Sequence, residues 1–558
     1  MTVSLVVIPQ SLAYAILAGV PPVYGLYSAI LSSIFASLFG SSNHVSAGPT
    51  NGIALLVAGA VAARPGGLAP EAMLFTLTFL VGAIQAGLGL LRAGAFVNYV
   101  SKPVLVGYMT AAGLLIGWNQ IPNLLGIPSA AQPGFAGTFE QIRLHISGTN
   151  PAGLAVGLLA LGVVIACRLV SRRWPGMLLA LAAGGALTLL LGAGAGIRTV
   201  GGLQAIPQSL PPFAPPPLDP ARIQPLLGIA LAIAILGLTE AFSIARTIAL
   251  KSGQALNPSQ DFLGLGAANL ASSFFHGMPG SGSLTRSMVC YESGGRTRLS
   301  GLFTGISTLI LVVAFAPLAN RIPIPALAGV LLFVAWTLFD VRELGAIFRS
   351  TPSDVATFLL TFGLAIAFPS QLDKAVLAGV ALSVLSFVRQ ASSLNAREMG
   401  TSGAGQFREI EAREEGCPQI SLLHVEGSLF FGAAYELDSL LRDLAARPGL
   451  RVIILRTKRI QNIDMDGLHV LRGFALAFRA KGGTFLLCGV RPELKVRLDR
   501  LGLTEAIGAQ NVFLSGDDVF ASTQEAIRRA LELLGPHGCS CTARASRECF
   551  RAGGDAPS

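Results

Sequence analysis

Between Thr2 and Arg389 the sequence is a series of fourteen apolar runs set apart by proline, glycine and charge. A helix that spans a bilayer needs about 20 predominantly apolar residues. No water at that depth can satisfy backbone polar groups, so a chain with many such runs is confined to helices packed on helices. The first seven runs are Thr2–Gly19, Val23–Gly40, Thr50–Ala63, Glu71–Leu91, Pro103–Trp118, Pro151–Val170 and Pro175–Gly192. The second seven are Ile223–Leu250, Asp261–His276, Ser281–Tyr291, Leu299–Asn320, Ala326–Phe339, Asp354–Phe368 and Lys374–Arg389. Two groups of seven indicate a duplicated unit, with repeat one over 1–192 and repeat two over 222–392. An odd number of crossings inverts the second copy relative to the first, a common transporter plan. The expected fold class is a polytopic α-helical membrane protein with 14 transmembrane segments in two inverted repeats of seven, followed by a soluble α/β domain.

Charge separates the two parts. Residues 1–392 carry 19 Lys+Arg and 10 Asp+Glu, whereas residues 393–558 carry 21 and 20. Ordinary soluble domains are roughly 25% charged, which the second part matches and the first does not. The net +10 falls almost wholly in the membrane part, where topology is its usual cause. With the N-terminus inside, twelve Lys and Arg residues fall in inside loops and six (Arg64, Arg143, Arg198, Arg222, Arg321 and Lys374) in outside loops. That asymmetry supports the count of segments and places the C-terminal domain in the cytoplasm. No basic cluster marks a soluble face, so nucleic-acid binding is not expected.

Two runs are too short to span. Thr50–Ala63 follows His44-Val45-Ser46-Ala47-Gly48-Pro49, and Ser281–Tyr291 follows His276-Gly277-Met278-Pro279-Gly280. Each is third in its group of seven. Matching broken segments in two halves point to a binding site near the bilayer midplane. A helix start leaves N–H groups unbonded and carries partial positive charge. Two such starts meeting at the midplane would form an anion site. The plainer alternative is a pair of re-entrant packing helices with no ligand.

The remaining sequence is connective or soluble. Phe135–Ile146 reads as a short amphipathic interfacial helix, and the Pro-rich Gly194–Arg222 as an extended outside loop. Residues 393–417 read as a polar linker, 418–535 as an α/β domain and 536–558 as a disordered tail. In the α/β domain, Ile420–Glu426, Val452–Arg456 and Thr484–Cys488 pattern as strands. Ala433–Ala446, Met465–Lys481 and Pro492–Leu501 pattern as helices. No Walker sequence is present, so direct ATP-driven pumping is disfavoured and no cofactor is expected. The seven cysteines do not suggest paired disulfides, as suits a reducing cytoplasm. His537, Cys539, Cys541 and Cys549 fit no closed zinc template, so no metal is expected there. Met1 runs straight into the first apolar run without a basic n-region, so no cleavable signal peptide is read. A short cytoplasmic leader ahead of the first helix is the corresponding expectation.

Pro21-Pro22-Val23-Tyr24-Gly25-Leu26-Tyr27-Ser28 resembles the signature of the sulfate permease anion transporters. The resemblance continues through Pro9-Gln10-Ser11-Leu12-Ala13-Tyr14-Ala15, Gly237-Leu238-Thr239-Glu240-Ala241-Phe242 and Ser283-Leu284-Thr285-Arg286-Ser287. The C-terminal part resembles the STAS domain, named for sulfate transporters and anti-sigma-factor antagonists. The resemblance implies a mobile core of segments 1–4 and 8–11, a gate of segments 5–7 and 12–14, and a substrate site among segments 1, 3, 8 and 10. It implies a small inorganic or organic anion as substrate, a proton or sodium ion as coupling partner, a homodimer, and a bacterial cytoplasmic membrane. A cytoplasmic partner for the STAS-like domain is implied as well. Related regulators carry a phosphorylatable serine just before the glycine of Asn462-Ile463-Asp464-Met465-Asp466-Gly467. Asp466 holds that place here, which puts the phosphoswitch in doubt.

The candidate substrate-binding residues are Gln10, Tyr14, Thr50, Asn51, Ser283, Leu284, Thr285 and Arg286. Gln10 and Tyr14 lie one helical turn apart and share a face; both can donate hydrogen bonds. Thr50 and Asn51 open the first half-helix, and ordinary capping by Thr50 is the rival reading. Ser283, Leu284, Thr285 and Arg286 open the second. Arg286 is the one basic residue read inside a membrane segment away from its ends, which makes it a functional candidate. It could set the local potential without touching the anion. Glu240 is the one acidic residue read deep inside a spanning segment and is the candidate for proton coupling. His44 and His276, ahead of the half-helices, read as packed polar residues. The expected function is secondary active, proton-coupled symport of a dicarboxylate, sulfate or bicarbonate by alternating access, with no enzyme activity. The rivals are an exchanger, a passive channel, a nucleobase carrier of similar fold, and a membrane sensor signalling through the STAS-like domain.

Overall fold

The computed structural model describes residues 1–63, 69–94, 100–128, 134–170, 174–392, 394–401, 407–410, 417–516, 518 and 520–535. Punctuation in the sequence sets where its helices begin. The first repeat holds α1 (Thr2–Leu17), α2 (Pro22–Phe39), a two-residue strand β1 (Ala47–Gly48), α3 (Asn51–Ala63), α4 (Pro70–Leu90), α5 (Lys102–Leu125), α6 (Phe135–His145), α7 (Pro151–Val170) and α8 (Gly176–Leu191). Two short turns, α9 (Val200–Leu203) and α10 (Pro220–Ile223), interrupt the Pro-rich connection. The second repeat holds α11 (Leu227–Ser252), α12 (Pro258–Phe274), β2 (Ser281–Gly282), α13 (Leu284–Glu292), α14 (Leu299–Asn320), α15 (Ile324–Thr337), α16 (Val341–Phe348), α17 (Pro352–Ala367) and α18 (Leu372–Ser392). Proline occupies the first turn of α2, α4, α5, α12, α15 and α17, where its missing N–H leaves no helical bond unmade. Seven described helical stretches are long and apolar enough to cross a membrane, and α1, α3, α8 and α17 are shorter apolar helices.

All fourteen expected segments are helical, most with ends within three residues of the sequence reading. Pro151–Val170 and Leu299–Asn320 coincide with α7 and α14. The clearest difference is α5, which runs seven residues past Trp118. Asn119, Gln120 and Pro122 made that stretch read as loop, but the Asn123 amide donates to Gln120 Oε1 at 3.1 Å inside the helix. The expected interfacial helix is α6, whose Phe139 and Leu144 are exposed. α16 had no counterpart in the sequence reading. It is a short amphipathic helix capped by the Asp340 carboxylate, which accepts from the Arg342 and Glu343 N–H groups.

Lipid tails are as apolar as leucine, so close backbone packing by small residues, more than hydrophobic drive, holds such helices together. The α1–α2 crossing shows this. A Cβ on Gly25 of α2 would lie 2.2 Å from the Ser11 carbonyl oxygen of α1. Polar side chains add specific ties. Ser28 Oγ donates to the Met278 carbonyl at 2.7 Å, and Thr78 Oγ1 to the Gly277 carbonyl at 3.1 Å.

The chain divides into two compact units, residues 1–384 and 385–558. In the second unit six strands lie in the order β4-β3-β5-β6-β7-β8, comprising β3 (Asn395–Thr401), β4 (Phe407–Glu409), β5 (Ile420–Leu429), β6 (Val452–Ile463), β7 (Thr484–Val490) and β8 (Val512–Leu514). β5 to β8 run parallel; β3 and β4 pair antiparallel at one edge. Successive strand residues face opposite sides, so the sheet is covered twice. Leu423, Ile453 and Leu487 pack on the side of α19 (Phe431–Ala445) and α20 (Met465–Ala480). Leu422, Ile454 and Leu486 pack against Ala526 and Ile527 of α23 (Ala521–Leu534). Between α20 and α23 lie α21 (Pro492–Arg500) and α22 (Leu503–Ile507). The stretch read as a polar linker carries β3 and β4. Their alternation places Met399 and Phe407 on the covered face among otherwise polar residues, which hides a strand from a hydropathy reading. The cysteines and histidine of the tail lie outside the described residues.

Asp464 caps α20 by accepting from the Gly467 N–H at 2.9 Å, and its other oxygen accepts from the Phe431 N–H at 2.8 Å. One carboxylate thus ties the starts of α19 and α20 together. Beneath the sheet, Arg456 is 4% exposed and lies 4.6 Å from the Phe520 ring. It donates to Thr523 Oγ1 and to His424 Nδ1. That bond makes Nδ1 the acceptor, so His424 Nε2 donates to Glu426 at 3.0 Å. Burial pushes the Cys488 thiol up to about 12, so it is a packed thiol and not a nucleophile.

The packing gives a direct test. Gly25→Ala should force α1 and α2 apart and cost about 1–3 kcal/mol or more, as overpacking does, lowering the thermal midpoint in detergent. Gly87→Ala in α4, where an added Cβ meets nothing within 4 Å, should be neutral or slightly stabilising. Equal midpoints for the two variants would contradict this packing.

Candidate functional site

The chain before each half-helix is extended, and the two extended pieces pair. β1 and β2 run antiparallel with Ala47 opposite Gly282 and Gly48 opposite Ser281. The pair continues through the Ser283 N–H, which donates to the Ser46 carbonyl at 3.1 Å. Gly280 is needed at this crossing, since a Cβ there would sit 2.7 Å from the Gly48 backbone. The pairing brings the starts of α3 and α13 side by side.

A buried amide network holds the second break in place. Asn269 of α12 accepts from the Gly280 N–H at 2.8 Å and donates to the Gly280 carbonyl at 3.1 Å. It also donates to Gln85 Oε1 of α4 at 2.8 Å. Ser281 Oγ donates to the Gly237 carbonyl of α11 at 2.7 Å, and Ser287 Oγ accepts from the Ser46 N–H at 2.9 Å. Non-helical backbone at membrane depth thereby has its polar groups met by protein.

Both half-helix starts face a cavity of about 530 Å3. Gln10 and Tyr14 of α1, Thr50 and Asn51 at α3, Glu240 of α11, and Ser283, Leu284 and Thr285 at α13 all line it. These are segments 1, 3, 8 and 10. Leu105 and Met109 of α5, Met177 of α8 and Phe333 of α15 form the opposing wall. The cavity extends to Arg168, Trp174 and Leu338, where α7 ends, α8 begins and α15 ends. It therefore opens toward the face that the Lys/Arg asymmetry assigns to the inside.

The first helical bond of α13 runs from the Ser287 N–H to the Ser283 carbonyl. The N–H groups of Leu284, Thr285 and Arg286 precede it, and the Ser283 side chain makes no capping bond. In α3 the Ala54 N–H bonds the Thr50 carbonyl. Thr50 Oγ1 does not cap its own helix; it donates to Glu240 Oε2 at 3.1 Å. Gln10 Nε2 meets Met177 Sδ at 3.6 Å, and its Oε1 has no hydrogen-bond partner among the described residues.

Arg286 is placed differently from the other candidates. It is fully buried and does not line the cavity. Its Nη1 donates to the Pro49 carbonyl at 2.9 Å, just ahead of α3. The guanidinium thus lies behind the half-helix starts, where it ties the two breaks together and adds positive potential. His44 Nε2 meets the Gly295 carbonyl at 2.9 Å, and His276, at φ +56°, stacks on Phe75. Neither lines the cavity. The Gln85–Asn269 network was absent from the sequence reading. Its only signal there is an amide side chain inside each of two apolar runs.

The architecture and this cavity define a class: a membrane carrier for small anions with a soluble α/β domain attached. Comparison with known proteins gives the family. The sulfate permease family model matches residues 1–361, and the STAS domain model matches residues 411–535. The chain belongs to the sulfate permease family, a family of anion transporters and not of enzymes. It is 27% identical over 546 residues to the chloroplastic sulfate transporter 4.1 of Arabidopsis thaliana, covering 93% of this chain and 78% of that one. Its fold is similar to murine Slc26a9 in the inward-facing state, with a TM-score of 0.82 at 20% identity over 95% of this chain and 90% of that one. It is also similar to the transmembrane domain of the cyanobacterial bicarbonate transporter BicA, with a TM-score of 0.59 at 25% identity over 69% of this chain and 95% of that one.

The amide network yields a prediction. Asn269→Leu keeps the approximate volume but strands the Gly280 N–H and Gln85 Oε1, at about 1–3 kcal/mol for each buried group left unpaired. The thermal midpoint and anion flux should both fall. Retention of wild-type values in both would show that the network does not hold the break.

Proposed function

We propose that the cavity is the substrate site and that the protein carries sulfate, bicarbonate or a small dicarboxylate by proton-coupled symport. The observation that carries this reading is the convergence of the α3 and α13 starts on one cavity with polar groups grouped on one wall. Free N–H groups there offer partial positive charge and directed donors to an oxyanion. Tyr14, Asn51, Ser283 and Thr285 add donors at its wall, and Arg286 adds a positive field from behind. The named functions of the Arabidopsis and cyanobacterial relatives support an oxyanion as cargo.

Glu240 supplies the coupling. An ionised carboxylate beside the site repels an incoming anion, whereas a protonated one does not. Proton and anion therefore enter favourably together. Movement of α1–α4 and α11–α14 against the remaining spanning helices then exposes the site to the other side. We assign residues 1–392 to transport and place the STAS domain in the cytoplasm of a bacterial cell, with a homodimer as the working assembly and a cytoplasmic partner for the STAS domain.

Uptake into sealed proteoliposomes tests this reading. Radiolabelled sulfate, bicarbonate and fumarate would be presented with and without an inward proton gradient. Saturable uptake of one anion, stimulated by the gradient, is expected. Glu240→Gln should keep anion binding and lose the stimulation. Unchanged pH-dependent uptake by Glu240→Gln would refute the coupling, and no uptake of any anion by folded protein would refute the symport reading.

A further inference from the structure

A second cavity, of about 550 Å3, shares only Leu178 with the site described above. Its walls include Leu5 and Ile8 of α1, Leu181 and Gly185 of α8, and Val312 and Phe315 of α14. α14 shapes the groove, because Phe315 leaves helical geometry (φ −110°, ψ 16°) two residues ahead of Pro317. Leu189, Phe315 and Leu318 on its rim are 66%, 55% and 63% exposed. They belong to apolar helices of the membrane bundle, so lipid is what meets them.

Two features select the occupant. The lining residues Leu178 and Leu189 lie about 16 Å apart along α8 at 1.5 Å per residue. That is about half of a hydrocarbon core roughly 30 Å thick, the depth of one leaflet. The groove also has one cation, Arg321, at the end of α14. α8 and α14 both finish on the outer face in the assigned topology, so Arg321 stands at headgroup level. No side-chain partner for its guanidinium is found among the described residues. An apolar channel one leaflet long with an unpaired guanidinium at its mouth is complementary to a phospholipid.

We propose that the groove holds one acyl chain of an outer-leaflet phospholipid whose headgroup phosphate is bound by Arg321. α1 and α14 belong to one group of helices and α8 to the other, so a seated chain occupies the seam across which transport must move. Lipid binding stands apart from the anion reading; its influence on flux rests on that reading.

The test is native mass spectrometry of the full chain, stripped of lipid and titrated with palmitoyl-oleoyl phosphatidylglycerol. Arg321→Gln should weaken binding of this lipid roughly tenfold, the loss expected for one hydrogen bond to a charged group. The diacylglycerol with the same chains should bind wild type and Arg321→Gln alike. Gly185→Phe fills the groove at a position where an added Cβ meets nothing within 4 Å, and it should reduce binding of both lipids. Inorganic phosphate should not displace the phospholipid. Unchanged phospholipid binding in Arg321→Gln, or its displacement by free phosphate, would overturn the proposal. So would disulfide cross-linking of Ala182→Cys between two chains, which would show a second copy covering the groove. Arg321 is exposed, so Arg321→Gln decides the matter even if Gly185→Phe does not fold.

Discussion

A backbone N–H released from a helical ladder inside a bilayer must be received by protein or by a ligand. Most of the first unit follows from how this chain meets that demand twice. At each break the released groups divide in two. Those before the half-helices are consumed by the β1–β2 pair, by Asn269 and by Ser287. Those at the first turn of α13 are left facing the cavity. The protein thus satisfies the backbone at the breaks and leaves it open at the proposed anion site.

The surrounding side chains fit that division. Arg286 is held by a backbone carbonyl behind the breaks, so in the proposed site it would shape the field without bonding the anion. Thr50 gives its hydroxyl to Glu240, linking the first half-helix start to the one carboxylate that lines the cavity among the described residues. In the proposed mechanism a charge change at Glu240 would reach the first half-helix start through Thr50.

Much of this was legible in the sequence, for definite reasons. Helix starts were legible because proline in a first turn and glycine at an end have few other places to go in a membrane bundle. The two breaks were legible because each interrupts an apolar run at the same place in its repeat. Eight of the nine candidate residues line one cavity. What escaped was pairing at a distance. Neither Asn269 nor Gln85 names the other, and two-residue strands such as β1 and β2 have no periodicity to read. Burial depth was hidden too, so Arg286 could be placed on its segment but not behind the cavity wall. The strands β3 and β4 were masked by their polar residues, which suit β4 at the sheet edge.

The central claim is that an anion completes the two open helix starts. Anomalous diffraction from crystals of the full chain soaked in selenate tests it most directly, with selenium marking the position of a sulfate-like anion. The account predicts one peak within hydrogen-bonding reach of the backbone at Asn51 and at Leu284–Thr285, lost on competition with sulfate. A competable peak elsewhere in the membrane unit, with none between the half-helices, would contradict it.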